Sequence, residues 1–279
     1  MSRRHLRREH AGAEFELLVR DEGPPDGPVA LLLHGFPQHG GLWQGCLPGL
    51  HELGLRTLAP DQRGYSPQPQ PRDVEAYRLG PLVADALAVL DDVGAQRAVV
   101  VGHDWGALVG WALAAHHPER VRGLVALSVP HPHAFGRAIR EDAEQQQLSD
   151  YFGLLRKEGT AERVLLGDDA AALRRFFEGG SLTADAVQDY LAPMLSEDGL
   201  RGPLSWYRAM AGPELAAVPR ISVPTVYVSA EHDLGVGRAA AQWCADYVDG
   251  PYRRVDLSGT HWIVDEEPDV VVRAVASLL

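Results

Sequence analysis

Apolar positions along this chain fall into two alternating patterns. The runs VALLL (29–33), AVVV (98–101), LVALS (124–128) and PTVYVS (224–229) are almost continuously hydrophobic, and turn residues such as Gly35, Gly102 and Pro130 end the first three. Runs of that kind predict strands covered on both faces of a parallel sheet. Between them, GPLVADALAVLDDVG (80–94) sets Leu82, Val83, Ala86, Leu87, Leu90 and Val93 at helical spacing, with Pro81 near its start and Gly94 just past its end. GALVGWALAAHHPER (106–120) follows its strand directly in the same manner. The order strand, helix, strand predicts an α/β fold with a mostly parallel, doubly wound sheet.

The middle of the chain changes character. From His131 to Gly212 there is no buried-strand pattern, only helical segments such as AEQQQLSDYFGLLRKEG (143–159) and ADAVQDYLAPML (184–195). The expected organisation is a core of residues 1–130 and 213–279 with a helical insertion at 131–212. Strand pattern resumes at 224 and at RRVDLS (253–258), and an apolar helix is expected to close the chain. PQPQPRDVEAY (67–77) reads as a solvated linker, and the basic SRRHLRREH at the start as a solvated strand or tail.

Composition narrows the field without naming a chemistry. The 279 residues are 46% hydrophobic and carry a formal charge of −12, with Lys157 the only lysine. Clustered basic residues are what nucleic-acid phosphates require, so no nucleic acid is expected as a partner. No window is apolar enough to span a bilayer, and no signal-peptide segment follows the basic start, so no membrane partner and a cytoplasmic location are expected. Cys46 and Cys244 are too few and too far apart for a disulfide framework. There is no C-x-x-C and no H-E-x-x-H, and the HPH at 131–133 reads as a loop, so no metal and no cofactor are called for.

Gly102-His103-Asp104-Trp105-Gly106 stands between the AVVV strand and an apolar helix, the strand–turn–helix setting of a nucleophile elbow. Its central residue is an aspartate rather than a serine. A serine must lose a proton before it attacks, whereas a carboxylate with an ordinary pKa of roughly 3.9 is already an anion at neutral pH. The N-terminus of the following helix favours that charge. A carboxylate attacking a carboxylic ester would give only an anhydride, so the chemistry expected of Asp104 is displacement at saturated carbon, on an epoxide or a halide.

The alkyl ester so formed must be hydrolysed, which calls for a base and an oxyanion hole. His261, in SGTHWIVDEEP, follows a strand and precedes the final helix, and histidine titrates near working pH. The acid that orients it is expected after a strand between the elbow and His261. VYVSAEHDLG offers Asp233, with Glu231 as a competitor, and LSVPHPHAF offers no acid. The oxyanion hole is expected from the backbone N–H groups of Phe36, in LLLHGFPQ, and of Trp105.

From HGFP through DQRGY (61–65) and GHDWG to AEHD and THW, the chain resembles α/β-hydrolases of the epoxide hydrolase and haloalkane dehalogenase branch. The resemblance runs over nearly the whole length. It implies the α/β-hydrolase fold with the insertion as a cap, a cis peptide before Pro37, and two cap tyrosines that hold the epoxide oxygen. SDYFGLLRKEGTAE and LSWYRAM resemble the segments carrying them, giving Tyr151 and Tyr207. A core role competes, since Tyr151 shares a helical spacing with Leu148, Phe152 and Leu155. The expected substrates are a small-molecule epoxide and water; a homodimer is left open. Haloalkane dehalogenases commonly have Asn where Phe36 stands. Fluoroacetate dehalogenases place Arg where Trp105 and Leu108 stand. A non-catalytic, ligand-binding member of the fold would be expected to have lost one of these residues, and none is missing.

Overall fold

The computed structural model describes residues 2–210 and 212–279. Eight strands form one sheet in the order β1-β2-β4-β3-β5-β6-β7-β8. These are β1 Ser2–His10, β2 Ala13–Glu22, β3 Val29–Leu33, β4 Arg56–Pro60, β5 Ala98–His103, β6 Val121–Leu127, β7 Thr225–His232 and β8 Tyr252–Thr260. β1 pairs antiparallel with β2, and β2 antiparallel with β4; the other ladders are parallel.

Burial follows position in the sheet. β3 and β5 are buried at every residue, because helices cover both of their faces. Edge strand β8 alternates instead between half-buried and exposed positions. The basic N-terminal run is thus a strand rather than a tail, and it holds an outer edge of the sheet through charge: Arg8 Nε donates to Asp85 Oδ1 at 2.9 Å. Lys and Arg on an edge also discourage pairing with another chain.

The helix Leu79–Asp92 ends at Gly94, whose φ of +71° suits glycine. The helix Trp105–His116 has ten of its twelve residues buried, which explains why it is apolar all round. Between β6 and β7 lie only helical elements among the described residues, from Pro132–Glu141 to Gly212–Leu215. One expected helix is broken. Residues 143–159 form Ala143–Leu148 and the single turn Phe152–Leu155, separated at Ser149 and Asp150, with Gly159 at φ +71°. The HPH segment is the start of a helix and not a loop: the His131 ring accepts from the His133 N–H, and Pro132 fills the first helical position. The 67–77 segment is partly anchored rather than a free linker. Gln70 accepts from the Gly64 N–H and donates to the Glu16 carbonyl, and the Tyr77 hydroxyl donates to the Pro71 carbonyl.

After β3 the chain winds outward to β4, and after β5 it winds the other way through β6 to β8. Loops leaving adjacent parallel strands on either side of such a reversal open a crevice at their carboxyl ends. β3 and β5 are those strands, with Leu33 opposite Gly102. The register therefore brings HGFP and GHDWG side by side.

Candidate active site

Asp104 sits at the tip of the turn between β5 and the helix Trp105–His116, with φ +53° and ψ −121°. That backbone is costly for a side-chain-bearing residue and is held by its surroundings. The glycines make the turn possible: a Cβ on Gly106 would lie 2.0 Å from the Leu33 carbonyl oxygen, and one on Gly35 would lie 2.1 Å from Asp104 Oδ1. The Phe36 N–H donates to Asp104 Oδ1 at 2.8 Å, and the Trp105 N–H also bonds the carboxylate. The Phe36–Pro37 peptide is cis. The carboxylate is thus cradled by two backbone donors, the Phe36 N–H on Oδ1, while Oδ2 faces His261 Nε2 at 4.0 Å.

His261 follows β8, and Asp233 follows β7. Their ladder places the two turns together: His261 Nδ1–H donates to Asp233 Oδ1 at 2.9 Å. The same oxygen accepts from the N–H groups of Gly235 at 2.9 Å and Val236 at 3.1 Å. With Nδ1 engaged as a donor, neutral Nε2 keeps a free lone pair on the side of Asp104, where it can take a proton from water. Glu231, the competing acid, is exposed and accepts from Arg238 on the surface.

Burial and charge oppose one another across this trio. Burial disfavours charge on His261, but Asp233, Asp104 and Glu266 together hold its pKa above the ordinary value. Burial would raise Asp233, but His261, the Gly235 N–H and the Ser128 hydroxyl keep it below the usual carboxylate range. Asp104 is raised by burial, against the downward pull of His261 and the Trp105 and Phe36 N–H groups. Behind the trio, His103 Nε2–H donates to the His261 carbonyl at 2.9 Å, and burial lowers its pKa to about 3, so it stays neutral.

Asp104, Trp105 and His261 line a cavity of about 660 Å³ together with Tyr151 and Tyr207. Its remaining wall is largely apolar, including Leu108, Phe135, Ile139 and Met210. The tyrosines are not plain core aromatics. Tyr151 caps the turn Phe152–Leu155, and its ring meets that of Tyr207 edge-on at 6.3 Å. Tyr207 also packs edge-on against Trp105 at 4.9 Å and Phe36 at 5.5 Å. Burial, with the Asp104 charge adding to it, raises the pKa of both phenols. They remain protonated donors. Five of the seven site residues expected from the sequence line this cavity, and the other two stand behind it, Phe36 bonded to Asp104 and Asp233 to His261.

Two features at the site escaped the sequence reading. Ser128 follows β6 and sets its Oγ 3.1 Å from His261 Nδ1, in a segment whose lack of an acid gave no sign of a role beside the histidine. Arg63 of DQRGY is buried and paired with Asp85 at 2.7 Å, and its carbonyl accepts the Trp206 indole N–H at 2.9 Å. Among the described residues, no three His, Cys, Asp or Glu side chains gather as a metal ion would require, and no helix is long and apolar enough to cross a membrane.

A family model described as the alpha/beta hydrolase fold matches residues 28–268. Epoxide hydrolase A of Mycobacterium tuberculosis is 34% identical, with 94% of each chain covered. The AB hydrolase superfamily protein YfhM of Bacillus subtilis is 29% identical with the same coverage. Among solved structures, epoxide hydrolase A from Mycobacterium thermoresistibile superposes with a TM-score of 0.83 at 30% identity, covering 100% of this chain and 98% of that one. An epoxide hydrolase from metagenomes of hot environments gives 0.85 at 26% identity, covering 100% and 99%. By its motifs, its sheet order and these likenesses, the chain belongs to the α/β-hydrolase superfamily, in the epoxide hydrolase branch.

Proposed function

We propose that the protein is an epoxide hydrolase that adds water to an epoxide to give a vicinal diol through an ester of Asp104. Residues 131–212 act as the cap, closing over a core of 1–130 and 213–279. The observation that carries the reading is one cavity holding an elbow carboxylate, two buried phenols and an acid-held imidazole. The named relatives agree with it.

Asp104 Oδ2, the oxygen facing His261, attacks a ring carbon as the carbon–oxygen bond of the epoxide breaks. Tyr151 and Tyr207 bind the ring oxygen, and one of them gives its proton to the departing alkoxide. Asp104 Oδ1 becomes the ester carbonyl oxygen, already resting on the Phe36 N–H with the Trp105 N–H beside the carboxylate. His261 Nε2 takes a proton from water, and the hydroxide adds to the ester carbonyl. The oxyanion is stabilised by the same two N–H groups; collapse breaks the bond between Asp104 Cγ and Oδ2, the diol leaves with Oδ2, and the proton on His261 makes good the one the tyrosine gave up. Asp233 holds the imidazole tautomer that presents Nε2. No cofactor takes part in this scheme.

The test is a single turnover with enzyme in excess, in heavy-oxygen water. The diol should leave unlabelled and the Asp104 carboxylate should gain label. Label passing straight into the diol would remove Asp104 from the covalent role. A halide-release assay run alongside separates this activity from dehalogenation.

A further inference from the structure

Asp233 has company on the Nδ1 edge of His261. Ser128 is the first residue after β6, is 1% exposed, and places its Oγ 3.1 Å from His261 Nδ1. The same hydroxyl lies beside the Asp233 carboxylate. Ser128 is fixed at both ends of its backbone. Its N–H donates to the Val228 carbonyl at 2.9 Å, and its own carbonyl accepts from the Tyr227 hydroxyl at 2.6 Å. Its φ is +68°, where glycine would be less strained.

The acid leaves room for a second donor. Asp233 Oδ1 takes three N–H donors, whereas Oδ2 has no hydrogen-bond partner among the described residues. Ser128 and Asp233 also share the wall of a separate cavity of about 300 Å³, with Ser229, Arg238 and Gln242, and neither Asp104 nor His261 belongs to that wall.

We propose that Ser128 is a positioning residue for ester hydrolysis, its oxygen set against the His261 Nδ1–H and its hydrogen turned to the Asp233 carboxylate. This rests on the reading that Asp104 forms an ester which His261 hydrolyses. Oriented so, the hydroxyl solvates both members of the ion pair and fixes the imidazole plane. The groups facing His261 are Asp233 from the β7 turn, Asp104 from the elbow, Glu266 from the following helix, and the neutral His103 ring at 4.8 Å. Removing the hydroxyl destabilises the pair, so the imidazolium gives up its proton at a lower pH. Loss of one hydrogen bond of ordinary strength corresponds to a downward shift of about half to one pH unit.

Ser128→Gly tests this, because glycine deletes the hydroxyl while relieving the backbone. Rapid-quench single turnovers with an aryl epoxide such as styrene oxide, read by intact mass, resolve ester formation from its decay. Ser128→Gly should keep its unfolding stability and form the ester within about twofold of the parent rate. It should hydrolyse the ester about tenfold more slowly, with the acid limb moved to lower pH. Ser128→Asn, which tolerates the left-handed backbone and carries a polar side chain, should recover part of the rate. Parent-like hydrolysis and pH dependence in Ser128→Gly would overturn the proposal while leaving the Asp104 ester in place, as would equal slowing of both steps. No ester on Asp104 in a His261→Gln trap would overturn the underlying reading and this inference with it.

Discussion

The Trp206 indole N–H donates to the Arg63 carbonyl at 2.9 Å, tying the helix Glu197–Ala209 to the loop after β4. Trp206 precedes Tyr207, so this bond between insertion and core sets where a site phenol stands. Arg63 is held in turn by Asp85 through two bonds of 2.7 and 2.8 Å and by its Nη1, which donates to the Ala76 carbonyl at 2.8 Å. The DQRGY motif thereby acts on the site from a distance, through a carbonyl.

Trp206→Phe keeps an aromatic ring and deletes the donor. The Arg63 carbonyl would be left unpaired in a buried place, at a cost of about 1–3 kcal/mol of stability by denaturant titration. Ester formation should slow by about fivefold or more as Tyr207 loses its fixed position, while ester decay stays within about twofold. Equal loss in both steps would show general loosening instead.

Tyr151→Phe and Tyr207→Phe each remove one of the two donors proposed for the ring oxygen and leave the other. Each should slow ester formation by about 10–100-fold, and the double variant by about a thousandfold or more. Pre-steady-state quench measures this step, and decay of the ester should be unchanged in all three. If either single variant is as slow as the double one, the two phenols act as an inseparable unit.

Elements with a buried periodicity were readable from the sequence, and so was most of the site. β3, β5, β6 and β7 announce themselves because both faces are covered and their central residues are almost all apolar. β1, β2 and β4 did not. They are short or lie toward the edge of the sheet, and in β1 paired arginines leave no apolar alternation to separate a strand from a tail, although alternate residues meet solvent. The elbow was legible because its strain needs glycines at fixed offsets. Ser128 was not, since its place beside His261 depends on a φ of +68° and on the β6–β7 register, neither of which leaves a signature in composition. The break at 149–151 was missed for a related reason: helical spacing continues through it while Ser149 and Asp150 turn the chain.

Gly35→Ala should abolish activity. The added Cβ would lie 2.1 Å from Asp104 Oδ1 and 2.4 Å from its Cβ, so the carboxylate must leave the Phe36 N–H. No ester should then be detected by intact mass, whatever the pH. An Asp104 ester forming at a parent-like rate would show that the cradle of backbone donors is dispensable.

Three buried histidines make acid stability steep. Burial lowers His34 and His131 to about 4 and His103 to about 3, while the unfolded chain titrates near the ordinary 6.5. Below that value the unfolded state binds protons the folded state refuses, so their contribution is present above pH 6.5 and is lost as pH falls. Each neutral histidine gives a slope of at most about 1.4 kcal/mol per pH unit. His261, whose folded pKa is raised, works in the opposite sense, its contribution being lost as pH rises through the folded value. Urea unfolding should show a fall of about 1–2 kcal/mol from pH 7 to 6 and a steeper one of about 3 kcal/mol from pH 6 to 5. His131→Gln should flatten it; a flat profile in the parent protein would contradict neutral burial.

The histidine must be neutral to take a proton from water, and its folded pKa is raised partly by Asp104. In the proposed mechanism esterification removes the Asp104 charge, so His261 should be a weaker base in the ester than in the free enzyme. Asp104→Asn imitates that neutral state in nearly the same shape. His261 followed by NMR titration should therefore release its proton at a lower pH in Asp104→Asn than in the parent. The acid limb of ester decay in the parent enzyme should coincide with the value measured in Asp104→Asn, not with that of the free enzyme. The consequence is economical for a two-step reaction: the act of forming the ester lowers the pH at which its hydrolysis can begin. Should the His261 titration be the same in Asp104→Asn and the parent, the 4.0 Å separation of Nε2 and Oδ2 would carry no electrostatic coupling, and this account of the two steps would fail.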